Sequence, residues 1–374
     1  MGTAGRLAAL RRLARGEPLL VSLIIASLVL AAVSPGFREG FPRFIRPGVL
    51  AVLAGLMSGS LVLEASGALG AAAEAVVAAA GDAALSVLLL GAGMGLLASL
   101  VTNDASLFVA VPLAAAVAER SGAPRGLAVG LVTAFINIGS SLLPVGSPQN
   151  LLVWHEYRPG IGAYVAAMAP MVALGYAALA AWGLRLLPHR RGGVAAPPPV
   201  KVDTVLAAAG AAAVASSATG GLLGHPYAGA AASILLAAAA LGPRRLLRGG
   251  DWAAVATLGL LIAVFSYLGS LAAPHIPGRL LYTRLGVYLL ALALSQVVSN
   301  VPATAVLLGR TRHWAALLWG ADLGGALLLP GSMANIIALR LSGTRPRDLH
   351  RAQLLPIALA SAAAAALLAI SPQP

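Results

Sequence analysis

The sequence contains no cysteine among its 374 residues, which excludes disulfides, thiolate metal sites and cysteine nucleophiles. Charged residues are also scarce, at 10% of the chain, whereas a soluble domain carries roughly 25%. Acidic residues are the rarer sign, with 12 Asp and Glu against 25 Lys and Arg. Apolar residues make up 59% of the chain, and the mean hydropathy is +0.89. Apolar runs close to the ~20 residues needed to cross a bilayer recur along it, so the composition indicates a polytopic membrane protein.

The apolar runs predict an all-α membrane protein with about nine transmembrane helices, two of them broken. The predicted spans are 17–34, 47–66, 124–154 (broken), 160–187, 203–222, 226–242, 252–273, 313–341 (broken) and 351–370. Two further segments, 83–118 and 279–309, are too long for one helix and have polar residues at their centres. Because a bilayer tolerates non-helical backbone only where protein or a cavity covers it, we expect both to be re-entrant helical hairpins.

The net charge of +13 is explained by the positive-inside rule rather than by nucleic acid. Most Lys and Arg fall in loops that alternate onto the same side as the N-terminus. This bias predicts a multi-pass protein of a prokaryotic plasma membrane, with its N-terminus in the cytoplasm and its C-terminus outside. The lipid bilayer is therefore the expected partner, and no nucleic acid partner is expected.

Two sets of polar and glycine residues share the same internal spacing, which indicates an internal repeat. The first set is Asn137, Gly146, Ser147 and Asn150, and the second is Asp322, Gly331, Ser332 and Asn335. Thr102-Asn103 likewise matches Ser299-Asn300. The unmatched helix 203–222 makes the number of crossings between the copies odd, so the second copy is predicted to be inverted, as in many secondary transporters. The predicted organisation is a first repeat at 1–187, a linker plus unpaired helix at 188–222 and a second repeat at 223–374.

Each broken helix is predicted to form a binding site with its own hairpin tip. A break exposes free N–H groups at one helix end and free carbonyls at the other, and inside a membrane these groups need partners. Hydroxyl, amide and carbonyl oxygens suit Na⁺, whereas helix N-termini suit anions. The expected Na⁺ ligands are Thr102, Asn103, Gly146 and Asn150 at one site and Ser299, Asn300, Gly331 and Asn335 at the other. The further candidate residues are Asp104, Asn137, Ser147, Gln149, Asp322 and Ser332.

Two acids are predicted to lie deep in the membrane, Asp104 at the first hairpin tip and Asp322 in the second broken span. A buried intramembrane acid is a functional candidate by default. Each of them could ligate Na⁺, carry a coupling proton, or serve structure alone through hydrogen bonds to neighbouring hydroxyls.

Four segments follow one another along the chain: SLVTNDASLFVAVPL, GSPQNLLVW, SQVVSNVPATAVLL and LLLPGSMANIIALRL. Together they resemble the ion transporter superfamily, and most closely its arsenical pump membrane proteins, NhaD-type sodium/proton antiporters and divalent anion/sodium symporters with citrate-transporter-like domains. The resemblance implies two opposed hairpins, a scaffold that forms a homodimer, elevator-like movement of a transport domain, and tips and unwound turns that bind Na⁺ and part of the substrate. The tips depart from the Ser-Asn-Thr of the dicarboxylate symporters, and Asp104 would repel a carboxylate unless a cation or proton lay between.

The sequence therefore predicts a secondary active transporter of a small anion or an oxyacid, coupled to Na⁺ or H⁺, with no cofactor beyond that ion. One alternative is a sodium/proton antiporter in which Asp104 and Asp322 are the exchanging carboxylates. A remote alternative is an intramembrane hydrolase, but no nucleophile and base are paired at matching depth. We therefore expect a transporter and not an enzyme.

Overall fold

The computed structural model describes residues 17–80, 82–188 and 200–370, and the regular secondary structure there is helical. The predicted linker at 188–202 falls largely outside these ranges. The helices of the first half are α1 (Pro18–Val33), α2 (Pro35–Phe44), α3 (Pro47–Ala65), α4 (Ala68–Ala80), α5 (Ala83–Val101), α6 (Asn103–Ser121), α7 (Arg125–Gly139), α8 (Pro148–Tyr157) and α9 (Ile161–Leu186).

The second half begins after the undescribed residues 189–199 and follows a similar order. Its helices are α10 (Thr204–Leu223), α11 (Pro226–Leu241), α12 (Pro243–Gly249), α13 (Trp252–Ala272), α14 (Gly278–Leu281), α15 (Arg284–Val298), α16 (Asn300–Leu307), α17 (Trp314–Leu327), α18 (Met333–Ser342) and α19 (Pro346–Ile370).

Helix starts are encoded by proline and aspartate. Seven of these helices carry Pro at their first position, where its missing N–H costs nothing and its fixed φ suits the helix. Asp82, Asp203 and Asp251 cap α5, α10 and α13 by accepting from backbone N–H groups three residues later, at 2.9–3.0 Å.

Seven helices in the described residues are long and apolar enough to cross a membrane, and an eighth is added if α11 and α12 count as one bent span. The prediction of an all-helical polytopic membrane protein is therefore confirmed. Three segments predicted as loops are helical instead: 35–46 contains α2, 67–82 contains α4, and 243–251 contains α12. The sequence of α4, ALGAAAEAVVAAA, is dominated by alanine, the strongest helix former.

Both segments predicted as hairpins consist of two helices joined at a single residue and packed against each other. The joint is Thr102 between α5 and α6, and Ser299 between α15 and α16. Thr102 has φ 105° and ψ 151°, and Ser299 has φ 76° and ψ 160°. This region is populated almost only by glycine and costs about 1–3 kcal/mol for other residues. The same strained turn thus occurs at both tips.

The two broken segments contact each other in the core. Helix α7 of the first segment contacts both α17 and α18 of the second, while α8 contacts α17. The hairpins add further contacts between the two halves of the chain, since α6 packs on α18 and α16 packs on α8. Both broken segments and both hairpins therefore meet in one core.

The remaining helices form two groups beside this core. Helices α3, α10 and α11 pack closely through small residues, and a Cβ added at Gly59 would lie 2.7 Å from the backbone of Val214. Helix α13 packs on α1, α2 and α3, with the ring of Phe37 5.2 Å from that of Tyr267. The second hairpin leans on this group, because α16 packs along α13.

Candidate functional site

The two helix breaks have the same local conformation. In the first, the N–H of Gly146 donates to the carbonyl of Leu143 at 3.3 Å, and in the second Gly331 donates to Leu328 at 3.0 Å. Each turn is followed by an extended serine that opens the next helix: Ser147 has φ −150° and ψ 152°, and its counterpart in the second break has φ −150° and ψ 142°. The sequence repeat is therefore also a repeat of backbone geometry.

The glycines of the breaks allow other backbone segments to approach closely. A Cβ added at Gly146 would lie 2.1 Å from the carbonyl oxygen of Ser140 and 2.7 Å from Cα of Ser99 in α5. A Cβ at Gly331 would lie 2.5 Å from the carbonyl oxygen of Gly324. Any side chain at either position would push the break away from its neighbours.

Each hairpin tip contacts the break of its own half. The backbone N–H of Asn103 donates to the carbonyl of Gly146 at 3.2 Å, and the hydroxyl of Ser299 donates to the carbonyl of Gly331 at 3.2 Å. The structure thus brings Asn103 to Gly146 and Ser299 to Gly331, which are residues that the sequence analysis assigned to the same two sites. At the second tip, Asn300 turns its side-chain oxygen back to the N–H of Val301 at 2.9 Å.

The two halves are also joined crosswise, which the sequence analysis did not predict. Gln149, in the first break, donates to Oδ1 of Asp322 in α17 at 2.7 Å. Asp322 is only 2% exposed. The side chains of Ser141 and Asn150 also lie close enough to interact with this carboxylate. A carboxylate of the second half therefore faces the polar break of the first.

Asn137, the counterpart of Asp322, makes the reciprocal connection. Its Oδ1 accepts from the hydroxyl of Ser332 at 3.2 Å, and its Nδ2 donates to Oδ1 of Asn335 at 3.5 Å. Asn137 thus reaches from α7 to the second break, as Asp322 reaches from α17 to the first. The matched positions differ in that Asn137 carries a neutral amide and Asp322 carries a carboxyl group.

The two breaks differ in how their polar side chains are satisfied. Asn335 is fully buried, and its Nδ2 donates to the carbonyls of Gly325 and Leu328 at 3.1 and 3.2 Å. Its counterpart Asn150 is equally buried, but neither of its side-chain polar atoms has a hydrogen-bond partner. Ser147 Oγ and Asp322 Oδ2 are likewise buried without a partner. Buried polar groups are rarely left in this state, so the first break is the incompletely satisfied one.

Asp104 lies in a different environment from Asp322. It stands at the start of α6 and is exposed on the surface of the chain, whereas Asp322 is buried between helices. The two acids therefore differ in their surroundings within the protein, and the depth of Asp104 in the membrane stays a prediction. The next residue on the same helical face, Phe108, is 46% exposed, so this face of α6 points away from the core.

The sequence analysis missed two buried polar residues next to the breaks. Gln353 of α19 is fully buried and donates to the carbonyl of Gly130 at 3.1 Å and to Oδ1 of Asn335 at 3.4 Å. Ser141 lies in the 3₁₀ turn after α7 and is also fully buried. A glutamine inside the apolar run of α19 was a signal that could have found the first of them.

The family model described as citrate transporter, CitMHS, matches residues 13–334, which is most of the chain. The chain belongs to the citrate transporter family. This assignment agrees with the resemblance to the ion transporter superfamily. It also places the citrate transporter homologue in a membrane, among transporters rather than enzymes.

Two relatives and one solved structure are similar to this citrate transporter homologue. Inner membrane protein YbiR of Escherichia coli K12 is 28% identical over 89% of this chain and 90% of its own length. Uncharacterized transporter MJ0456 of Methanocaldococcus jannaschii is 28% identical over 67% of this chain and 69% of its own. The crystal structure of the Alcanivorax borkumensis YdaH transporter, titled as having an unusual topology, aligns over 91% of this chain and 88% of its own with 18% identity and a TM-score of 0.47.

Proposed function

We propose that the chain is a secondary active transporter of a small anion or oxyacid, coupled to Na⁺ or H⁺. The observation that carries the proposal is the meeting of two hairpin tips with two matched helix breaks, whose parent segments contact each other in the core. Discontinuous helices in inverted repeats are where secondary transporters bind substrate and coupling ions. The repeats 1–187 and 223–374, inverted about the unpaired helix α10, account for this arrangement.

An anionic solute is supported by four helix N-termini. Helices α6 and α16 begin at the tips, and α8 and α18 begin at the breaks. Helix N-termini present free N–H groups and a partial positive charge, so they attract anions. The description of the family as citrate transporter points in the same direction. No basic side chain is part of the contacts described at the breaks, which favours a small solute held by backbone and amide groups.

Alternating access is proposed to occur by an elevator movement. The moving unit is defined as α5–α9 and α15–α19, which contains both tips and both breaks. The scaffold is defined as α1–α3 and α10–α13, which packs through small residues and the cluster around Phe37. Contacts between the units include Ser60 of α3, whose hydroxyl donates to the carbonyl of Val101 at 2.5 Å. We expect the scaffold to form a homodimer, with the N-terminus in the cytoplasm and the C-terminus outside.

The antiporter alternative depends on two acids that lie in different surroundings. Asp104 is exposed on α6, and only Asp322 is buried at a break. An exchange mechanism based on Asp322 alone would still predict Na⁺-dependent proton movement without a third solute. The same proteoliposome experiment separates the two functions.

The experiment is uptake into proteoliposomes across a panel of anions and oxyacids, with imposed Na⁺ or H⁺ gradients. We expect one solute to accumulate only when a gradient is present. Asn103→Ala and Asn300→Ala are expected to abolish uptake while the protein remains folded by circular dichroism. Proton flux driven by Na⁺, with no solute accumulated, would favour the antiporter, and full uptake by both variants would refute the site assignment.

A further inference from the structure

The two breaks have the same backbone conformation, but their buried polar side chains differ in whether they have hydrogen-bond partners. At the second break, Asn335 and Ser332 use their side chains on carbonyls and on Asn137. At the first, Ser147 and Asn150 are buried with unpartnered polar atoms. Leaving such atoms unpaired lowers the stability of the fold. A native site that keeps several of them together is suited to a ligand.

The charge at the matched positions 137 and 322 identifies the ligand as a cation. Asn137 is neutral and is satisfied by Ser332 and Asn335. Asp322 accepts from Gln149 and lies beside the side chains of Ser141 and Asn150, while its Oδ2 has no hydrogen-bond partner. The contacts described around it include no Lys or Arg. A carboxylate in this surrounding needs either a proton or a positive ion beside it.

The unused atoms favour a metal ion over a lone proton. A proton on Asp322 Oδ2 would neutralise the carboxylate but would use at most one of the neighbouring acceptors. Ser147 Oγ and Asn150 Oδ1 would remain unpaired. A monovalent metal ion takes several oxygens at once, from carboxylate, amide, hydroxyl and carbonyl groups.

We propose that the chain binds one Na⁺, at the first break alone, through Asp322, Asn150 and Ser147, and that the second break is a structural clamp closed by Asn335. The proposal rests on the proposed function in assigning this ion the role of coupling ion. It differs from the symmetric expectation of one Na⁺ site at each tip. One Na⁺ then moves with the anion in each transport cycle.

The clamp explains why the second break needs no ion. Asn335 donates to the carbonyl ends left free when α17 stops, at Gly325, Leu328 and Leu329. Its Oδ1 accepts from Asn137 and from Gln353. These are the groups that a cation or water would otherwise satisfy. The side-chain amide of Asn335 thus takes the place of a bound ion or water at the second break.

The test is Na⁺ binding to the purified full-length protein in detergent, with no transported solute present. Stoichiometry comes from equilibrium binding of ²²Na⁺, and affinity from the rise of the unfolding temperature when choline chloride is replaced by NaCl at constant ionic strength. We expect one Na⁺ per chain. Asp322→Asn and Asn150→Ala should weaken binding about tenfold or more, the effect of losing about 1.4 kcal/mol.

Asn335→Ala is the contrasting variant. It should lower the unfolding temperature equally in NaCl and in choline chloride, because it removes hydrogen bonds within the protein and no ion ligand. If Asp322→Asn does not fold, Ser147→Ala and Asn150→Ala carry the test, since both retain the carboxylate. Thr257→Ala, in the scaffold helix α13, is the control for loss of a hydroxyl at a position remote from the site.

Several results would overturn the proposal. They are two Na⁺ per chain, wild-type Na⁺ affinity in Asp322→Asn, loss of Na⁺ binding in Asn335→Ala at unchanged unfolding temperature, or stabilisation by acid with no response to Na⁺. None of these measurements involves an anion. One Na⁺ per chain without anion uptake in proteoliposomes would leave this inference standing and refute the anion transport, whereas anion uptake with two bound Na⁺ would do the reverse.

Discussion

Arg46 and Glu156 form a salt bridge of 2.6 Å between the parts of the chain proposed above as scaffold and moving unit. Arg46 directly precedes α3 and has a left-handed backbone with φ 54°, and Glu156 lies in the last turn of α8. Both side chains are less than one-third exposed. In an elevator movement this bridge must break in every cycle, so it contributes to the stability of the state seen here.

Charge reversal at this bridge is expected to change the transport rate. Arg46→Glu and Glu156→Arg each place like charges together, and the double variant restores the pair with opposite polarity. A partly exposed pair contributes about 0.2–1 kcal/mol, so each single variant should change uptake a few-fold and the double variant should return toward wild type. The measurement is initial uptake rate in proteoliposomes, analysed as a double-mutant cycle.

The control for this cycle is the second ion pair of the described chain. Arg125 and Glu119 are also 2.6 Å apart, but both belong to the moving unit and are largely exposed. Reversing them should leave the uptake rate unchanged. Equal effects at both pairs would show that surface charge, rather than contact between the units, sets the rate.

Gly146→Ala is expected to disrupt the first break. The added methyl group would fall 2.1 Å from the carbonyl oxygen of Ser140, on backbone that cannot move aside. Overpacking of this kind costs about 1–3 kcal/mol, and the displacement falls directly on the proposed ion site. The unfolding temperature and Na⁺ binding should both decrease. Gly162→Ala is the matched control, because a Cβ there meets nothing within 4 Å, and its behaviour should match wild type.

Thr102→Gly is expected to preserve or increase stability. Relief of the strained turn should raise the free energy of unfolding by about 1–3 kcal/mol. The extra freedom of glycine in the unfolded chain should lower it by about 0.5–1 kcal/mol. Thr133→Gly, in the middle of α7 where Thr133 is fully buried, should lower stability. Thermal unfolding of both variants checks the pair. A large loss of stability in Thr102→Gly would mean that the threonine side chain holds the tip.

Gln149→Leu is expected to impair transport more than folding. The substitution removes the hydrogen bond of 2.7 Å that Gln149 donates to the Asp322 carboxylate. A hydrogen bond to a charged group contributes about 1.5–3 kcal/mol, so uptake should fall about tenfold or more. Met333→Leu, at the corresponding part of the second break and 43% exposed, should remain near wild type. Normal uptake by Gln149→Leu would argue that Asp322 takes no part in the cycle.

The order of helices followed from the sequence in most places. The broken span predicted at 124–154 is realised as α7 and α8, and the one at 313–341 as α17 and α18. Proline, glycine and polar residues interrupt an apolar run so sharply that the break positions follow from local chemistry. Helix α4 was missed because its 13 residues are too few for a span, although its alanine-rich sequence is apolar and has high helix propensity.

What the sequence by itself determined was the membrane class, the repeat, the hairpins and the residues at the breaks, because hydropathy and backbone-breaking residues act locally. Only the tertiary structure decided that Gln149 faces Asp322, that Asn335 is satisfied while Asn150 is not, and that Asp104 is exposed. These differences arise from how the two broken segments pack against each other. A repeat in the sequence predicts equal sites, but the pairing of side chains across the two halves depends on contacts between residues far apart in the chain.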